Sequence, residues 1–186
     1  MTLARRAAVL ALAVLPVDCA SPNPTLYVLR PLPGAVHTGA PRTVELRAIA
    51  LPRYLERSQI VRSSEGYRMD VLSNEWWGEP LDSMMGRIPV LELNQRLPGS
   101  IVYSDSGAIS TPPNATVEIN IQRFDLDRDG AVLLSAQIAV VGRAITTRGV
   151  SVTVAPTDAT TPALVAAMST ATAQLADTIA VMLARP

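Results

Sequence analysis

Three groups of residues have the types that chemistry needs, and their spacing decides what each can do. Asp125-Leu126-Asp127-Arg128-Asp129-Gly130 matches the first half of a calcium-binding loop. Such a loop also needs a bidentate Glu at its twelfth position and a helix on either side. The twelfth position is Ala136, inside an apolar run. The segment is therefore expected to be a hairpin turn rich in Asp and Gly. The chain has one His and one Cys, too few for a zinc site built on those residues. His37 would have to serve any Ser-His-Asp triad, yet no Gly-x-Ser-x-Gly elbow accompanies it. It lies in a Pro/Gly loop and is expected at the surface. All 16 basic residues are Arg. Without Lys, a phosphate loop ending in Gly-Lys-Ser/Thr cannot form, and no Gly-x-Gly-x-x-Gly occurs. The residue types point to no catalytic site, no cofactor and no metal.

One residue does suggest a modification. Arg5 and Arg6 form a positive segment, and Ala7 to Leu15 is an unbroken apolar run. Nine apolar residues are too few for a spanning helix, which takes about 20, and suit a signal peptide. Cys19 follows at the place where a lipoprotein signal puts its acylated Cys. Pro16 and Asp18 depart from the small residues such a signal carries there. The expected organisation is residues 1–18 as signal peptide, 19–25 as a Pro-rich tether, and 26–186 as one domain. From Cys19 onward the chain holds 14 Arg against 15 acids, a formal charge of −1. That balance disfavours nucleic-acid binding and a polybasic membrane patch.

The elements that would position these residues follow from periodicity. Aromatic residues are only 4% of the chain, so the core must be mainly Val, Ile and Leu. Leu26–Leu29 reads as a first strand and Val44–Leu51 as a second, with Pro31–Pro41 a loop between them. Pro52 can open a short helical turn anchored by Tyr54 and Leu55. Gln59–Arg62 and Tyr67–Leu72 read as a hairpin around Ser63–Gly66. Trp76 to Pro80 leads into a helix whose apolar side is Leu81, Met84, Met85, Ile88 and Leu91. Pro89 falls inside it and is expected to kink or split it. Adjacent side chains of extended chain point opposite ways; Trp77 is expected to anchor on the core, with Trp76 less certain. Val102-Tyr103 can start a strand. Ala115–Phe124 alternates cleanly, and Ala131–Val141 is a more buried strand. Thr146–Gly149 reads as a turn before Val150, Val152 and Val154. Thr161 is expected to cap a last helix, with Pro162 in its first turn and Leu164, Met168, Ala171, Leu175, Ile179 and Met182 on one side. The fold class is α/β (α+β): a single domain with a mixed sheet, a kinked central helix and a long C-terminal helix.

The order of these pieces resembles the ABC-type transport auxiliary lipoproteins of the PqiC/YmbA group. The resemblance rests on Cys19 behind its apolar run, Leu26-Tyr27-Val28-Leu29, and the block Leu51-Pro52-Arg53-Tyr54-Leu55-Glu56-Arg57-Ser58-Gln59-Ile60-Val61. Trp77-Gly78-Glu79-Pro80-Leu81 follows, and then Ala167-Met168-Ser169 leading to Leu175-Ala176 and Ile179-Ala180. Pro89 departs from the family helix. The resemblance implies a non-enzymatic periplasmic domain held to a membrane by a lipid on Cys19. It implies service to an MCE-type substrate-binding protein with its ABC permease and ATPase. Those systems move phospholipid or other hydrophobic molecules and support envelope integrity. Tyr54, Gln59 and Trp77 are the candidate structural or partner-facing residues. Ala20 after the Cys favours outer-membrane anchoring, and a homo-oligomer is possible. The rivals are a periplasmic lipid carrier with an apolar pocket, an envelope hydrolase, and a secretion or assembly lipoprotein of similar fold.

Overall fold

The structure is a computed structural model and describes residues 23–109 and 111–184; Cys19 and the expected signal segment lie outside these. Eight strands form one mixed sheet: β1 Thr25–Tyr27, β2 Thr43–Leu46, β3 Gln59–Ser63, β4 Asp70–Trp77, β5 Ile101–Ser104, β6 Ala115–Leu126, β7 Val132–Val141 and β8 Ile145–Val154. Helix α1 spans Leu81–Arg96 and α2 spans Thr161–Ala184. This is the expected α+β class.

The long β6 organises the sheet. One of its edges pairs along its length with antiparallel β7, which pairs in turn with β8. The other edge is shared: β2 runs parallel to its first residues, Ala50 bridges to Asn120, and β3 meets it at Ser63 opposite Leu126. β5 extends the sheet beyond β2, and β4 then β1 extend it beyond β3. Alternation puts Ala115, Val117, Ile119 and Ile121 of β6 and Val132, Leu134, Ala136, Ile138 and Val140 of β7 in the core. A β-bulge at Gln122 follows. It keeps Phe124 in the core and moves Arg123 and Asp125 onto the other face.

α2 lies across β7 and β8 on the core face, and α1 packs beside β5 and α2. Burial of Leu164, Met168, Ala171, Leu175, Ile179 and Ala180 places α2's apolar stripe in the core. Thr160 caps this helix, one residue before Thr161. Its carbonyl accepts from the Leu164 N–H, and its Oγ1 accepts from the Ala163 N–H. α1 runs unbroken through Pro89, whose ring is buried, so the helix is not split. Leu91 turns outward at 47% exposure. The buried side of α1 is completed instead by Glu92, Leu93 and Arg96.

Other expectations shift by a few residues. β2 stops at Leu46: the Arg47 N–H still reaches the Val117 carbonyl of β6, but the Ala48 N–H goes to the Asp105 carboxylate. Trp76 and Trp77 end β4 and do not stand in a lead-in to the helix. The expected turn at Thr146–Gly149 is strand: β7 and β8 stay paired to Val141–Ile145, and the reversal falls at Gly142-Arg143-Ala144. Backbone pairing to β7 overrides the weak turn signal of Thr-Thr-Arg-Gly.

Candidate docking cleft and its buried supports

The two sequence blocks around Leu51–Val61 and Trp77–Leu81 meet in space. The chain leaves the 3-10 turn Arg53–Leu55 through Glu56-Arg57-Ser58 and enters β3, while antiparallel β4 ends beside it at Trp77. The Trp77 N–H donates to the Ser58 carbonyl at 2.7 Å. Gly78 then donates to the Tyr27 carbonyl at 2.7 Å. A Cβ at Gly78 would sit 3.2 Å from the Val28 side chain, which would have to give by a few tenths of an ångström. Between these segments lies an open cleft of 490 Å³, floored by Trp77 and Leu81 and rimmed by Glu56, Arg57, Glu79 and Asp82. Glu79 is paired with Arg87, nearly two turns into α1.

The expected site residues divide here. Trp77 is 5% exposed and belongs to the core, yet its edge lines the cleft. Gln59 sits in the β3–β4 ladder opposite Trp76. Tyr54 points behind the cleft, where its hydroxyl donates to Asp125 Oδ2 at 2.9 Å. Burial, and then the nearby Asp125 charge, push the Tyr54 hydroxyl up to about 12. Asp125 is fully buried, in contrast to the turn position expected for it. Ser64 Oγ donates to the same Oδ2 at 2.6 Å, and Arg123 Nε donates to Oδ1 at 2.8 Å. Arg123 also pairs with Glu65 at 2.7 Å. This node ties the 3-10 turn, the base of the β3–β4 hairpin and the end of β6 together. Both Asp125 oxygens already accept hydrogen bonds within the fold, and the carboxylate is buried away from any cation in solvent. Asp127, which is in the turn, is committed too: its Oδ1 accepts from the Asp129 and Ala131 N–H groups.

A second buried polar cluster escaped the sequence reading. Arg96 is fully buried at the end of α1. It donates to Asp177 at 2.5 Å and to the carbonyls of Leu32, Glu92 and Ala173. Glu92, 1% exposed, accepts the Leu32 N–H at 2.9 Å through Oε1, while its Oε2 has no partner. Desolvation raises its carboxyl to about 7, against the lowering effects of the Leu32 N–H and Arg96. The Gly34 N–H and carbonyl bond the Gln95 amide, the Arg30 N–H donates to Ser169, and the His37 N–H donates to the Arg96 carbonyl. The segment after β1 is thus strapped across both helices. His37 is half-buried in this strap and acts through its backbone. One signal for the other node was present: the three-residue step from Ile121 to Phe124 breaks strict alternation and marks a bulge. Nothing comparable marks Glu92 and Arg96, since charged residues in a helical pattern read as its solvent side. Among the described residues no three or more His, Cys, Asp or Glu side chains cluster as metal ligands.

The fold and cleft together define a small α+β domain with an open cleft where β3 begins and β4 ends. The chain belongs to the family described as ABC-type transport auxiliary lipoprotein component, which matches residues 27–180. No curated protein matches it. Two solved structures share the fold. One is of an uncharacterized protein, with 20% identity, a TM-score of 0.74, and coverage of 87% of this chain and 99% of that one. The other is protein XCC0632 of Xanthomonas campestris, from family DUF330, with 15% identity, a TM-score of 0.70, and coverage of 86% and 95%.

Proposed function

We propose that this protein is a docking subunit of an MCE-type transport system in the periplasm, without catalytic turnover of its own. Membership of an auxiliary transport family supplies the coarse role. The observation that carries the finer reading is the convergence of Glu56-Arg57-Ser58 and Trp77–Leu81 on one cleft. The third block, on α2, is absorbed by the core. A lipid on Cys19 would hold the domain at a membrane, with the outer membrane as the expected site. The cleft would engage the MCE substrate-binding protein, which moves phospholipid or another hydrophobic molecule with its permease and ATPase.

A lipid carrier would instead need a cavity enclosing most of its apolar cargo. The described grooves are open. One, of 700 Å³, lies on the sheet face and includes Arg47, Glu118, Asn120, Gln137 and Arg148. Another, of 420 Å³, runs over Ile49, Gly86, Val90 and Leu91 to the β5–β6 loop. These favour docking over carriage.

The test is affinity purification of the full native protein from envelope membranes. An MCE component should co-purify, and recovery should be lost in Glu56→Arg/Asp82→Arg while His37→Ala leaves it intact. Deleting the gene should sensitise cells to detergent. The reading fails if no MCE component is recovered and the purified protein hydrolyses esters in a His37-dependent way.

A further inference from the structure

The tip of the β3–β4 hairpin is built unlike the rest of the surface. Glu65-Gly66-Tyr67-Arg68 forms a tight turn closed by the Arg68 N–H on the Glu65 carbonyl. Both central residues have positive φ, Gly66 at 60° and Tyr67 at 61°, the pattern of a type I′ hairpin turn. Gly suits that region, while a bulky aromatic residue rarely adopts it. Tyr67 nonetheless stands there at 112% exposure, and Met69 beside it is 39% exposed. Arg68 forms no ion pair among the described residues, whereas Arg62 is held by Asp70. The base of the hairpin is fixed by Ser64 to Asp125 and Glu65 to Arg123. A fixed base therefore presents an aromatic ring, part of a thioether and a guanidinium that stand exposed among the described residues.

The location of the tether gives these residues a neighbour. β1 runs parallel to β4 with Thr25 opposite Glu75, and the Asn23 carbonyl accepts from the Asn74 side chain. Asn23, the first described residue, thus lies beside β4 on the side of Thr25 that faces the hairpin tip. Three residues lie between Asn23 and Cys19, so four residue steps reach at most about 14 Å. The six steps from Ser73 through the start of β4 to Tyr67 rise at most about 20 Å. Cys19 therefore lies within about 34 Å of the tip.

We infer that the hairpin tip Gly66–Met69 is a second membrane contact, with Tyr67 and Met69 seated in the lipid interface and Arg68 among the headgroup phosphates. Tyr favours that layer because its ring is apolar and its hydroxyl polar. An acyl anchor combined with a protein contact holds more firmly than either alone. The contact also fixes the orientation of the domain: the β7–β8 turn Gly142–Ala144, at the opposite end of the sheet, faces away from the bilayer.

The inference rests on the reading of Cys19 as the anchor, and the experiment separates the two. Intact mass first decides whether native Cys19 carries acyl chains. The full mature protein is then held on vesicles of equal parts phosphatidylethanolamine and phosphatidylglycerol, by its own lipid or, if Cys19 proves unmodified, by coupling its thiol to a maleimide lipid. Amide hydrogen exchange at 66–69 should slow relative to protein released from the vesicle, with exchange at 142–144 unchanged. Tyr67→Ser/Met69→Ser should lose that slowing while keeping the same melting temperature. Unchanged exchange at the tip, or slowing at 142–144 instead, overturns the proposal. So does slowing that arises only when partner proteins are added to the vesicles, which would assign the tip to a protein.

Discussion

Replacing Glu92 by Gln tests the account of the buried strap. Glu92 has one oxygen on the Leu32 N–H and one with no partner. Desolvation is the dominant influence on it and raises its carboxyl from 4.5 to about 7, with Asp177 adding a small push and the Leu32 N–H and Arg96 opposing. The folded state therefore holds a proton that the unfolded chain has released between these two values. In that window stability falls as pH rises. The full interval corresponds to about 3 kcal/mol at pH 8, where the folded carboxylate is charged. Gln keeps the acceptor for Leu32, carries no charge, and leaves one buried polar atom unpaired just as the protonated carboxyl does. The variant should gain about 3 kcal/mol at pH 8, a rise of about 6–12 °C in Tm. At pH 4 both proteins are neutral at this position and should match closely. Urea unfolding across pH 4–8 measures the two profiles. Parallel profiles, or a variant less stable than the parent at pH 8, would refute the desolvation argument.

Other consequences follow from the same packing. Trp77→Ala should cost about 3–5 kcal/mol, read by thermal unfolding, because the ring closes the core beneath the cleft. Gly34→Ala places a methyl 2.4 Å from the Arg96 guanidinium, which four partners hold in place; a loss of about 1–3 kcal/mol is expected in urea. Tyr54→Phe removes one of three donors to buried Asp125 and should cost about 1–2 kcal/mol, with the hydrogen exchange of residues 53–55 accelerated. Calorimetry should show no saturable calcium heat at micromolar metal, since the carboxylates of Asp125 and Asp127 are already engaged within the fold.

The sequence by itself determined the element types and most of their order. The alternation of β6 as far as Ile121 and of β7, the periodic stripe of α2, and the proline opening the turn at Arg53 are local patterns, and local patterns survive without knowledge of neighbours. The chain's inability to bind nucleotide phosphates through a Lys-bearing loop was also legible, because it depends on composition. The sequence alone could not decide which charged residues are buried. Asp125 reads as turn and Glu92 and Arg96 as solvent side until the bulge at Gln122 redirects one and the strap at Leu32–Gly34 covers the others. The end of β2 was set by Asp105, distant in the chain, and the start of β8 by its pairing with β7 across Gly142–Ala144. The cleft was likewise decided only by tertiary structure, because residues 56–58 and 77–82 become neighbours through the antiparallel pairing of β3 with β4. The hairpin tip and the tether share one end of the sheet for a related reason: β1 pairs parallel to a strand that follows it by more than 40 residues, and no local pattern encodes that choice.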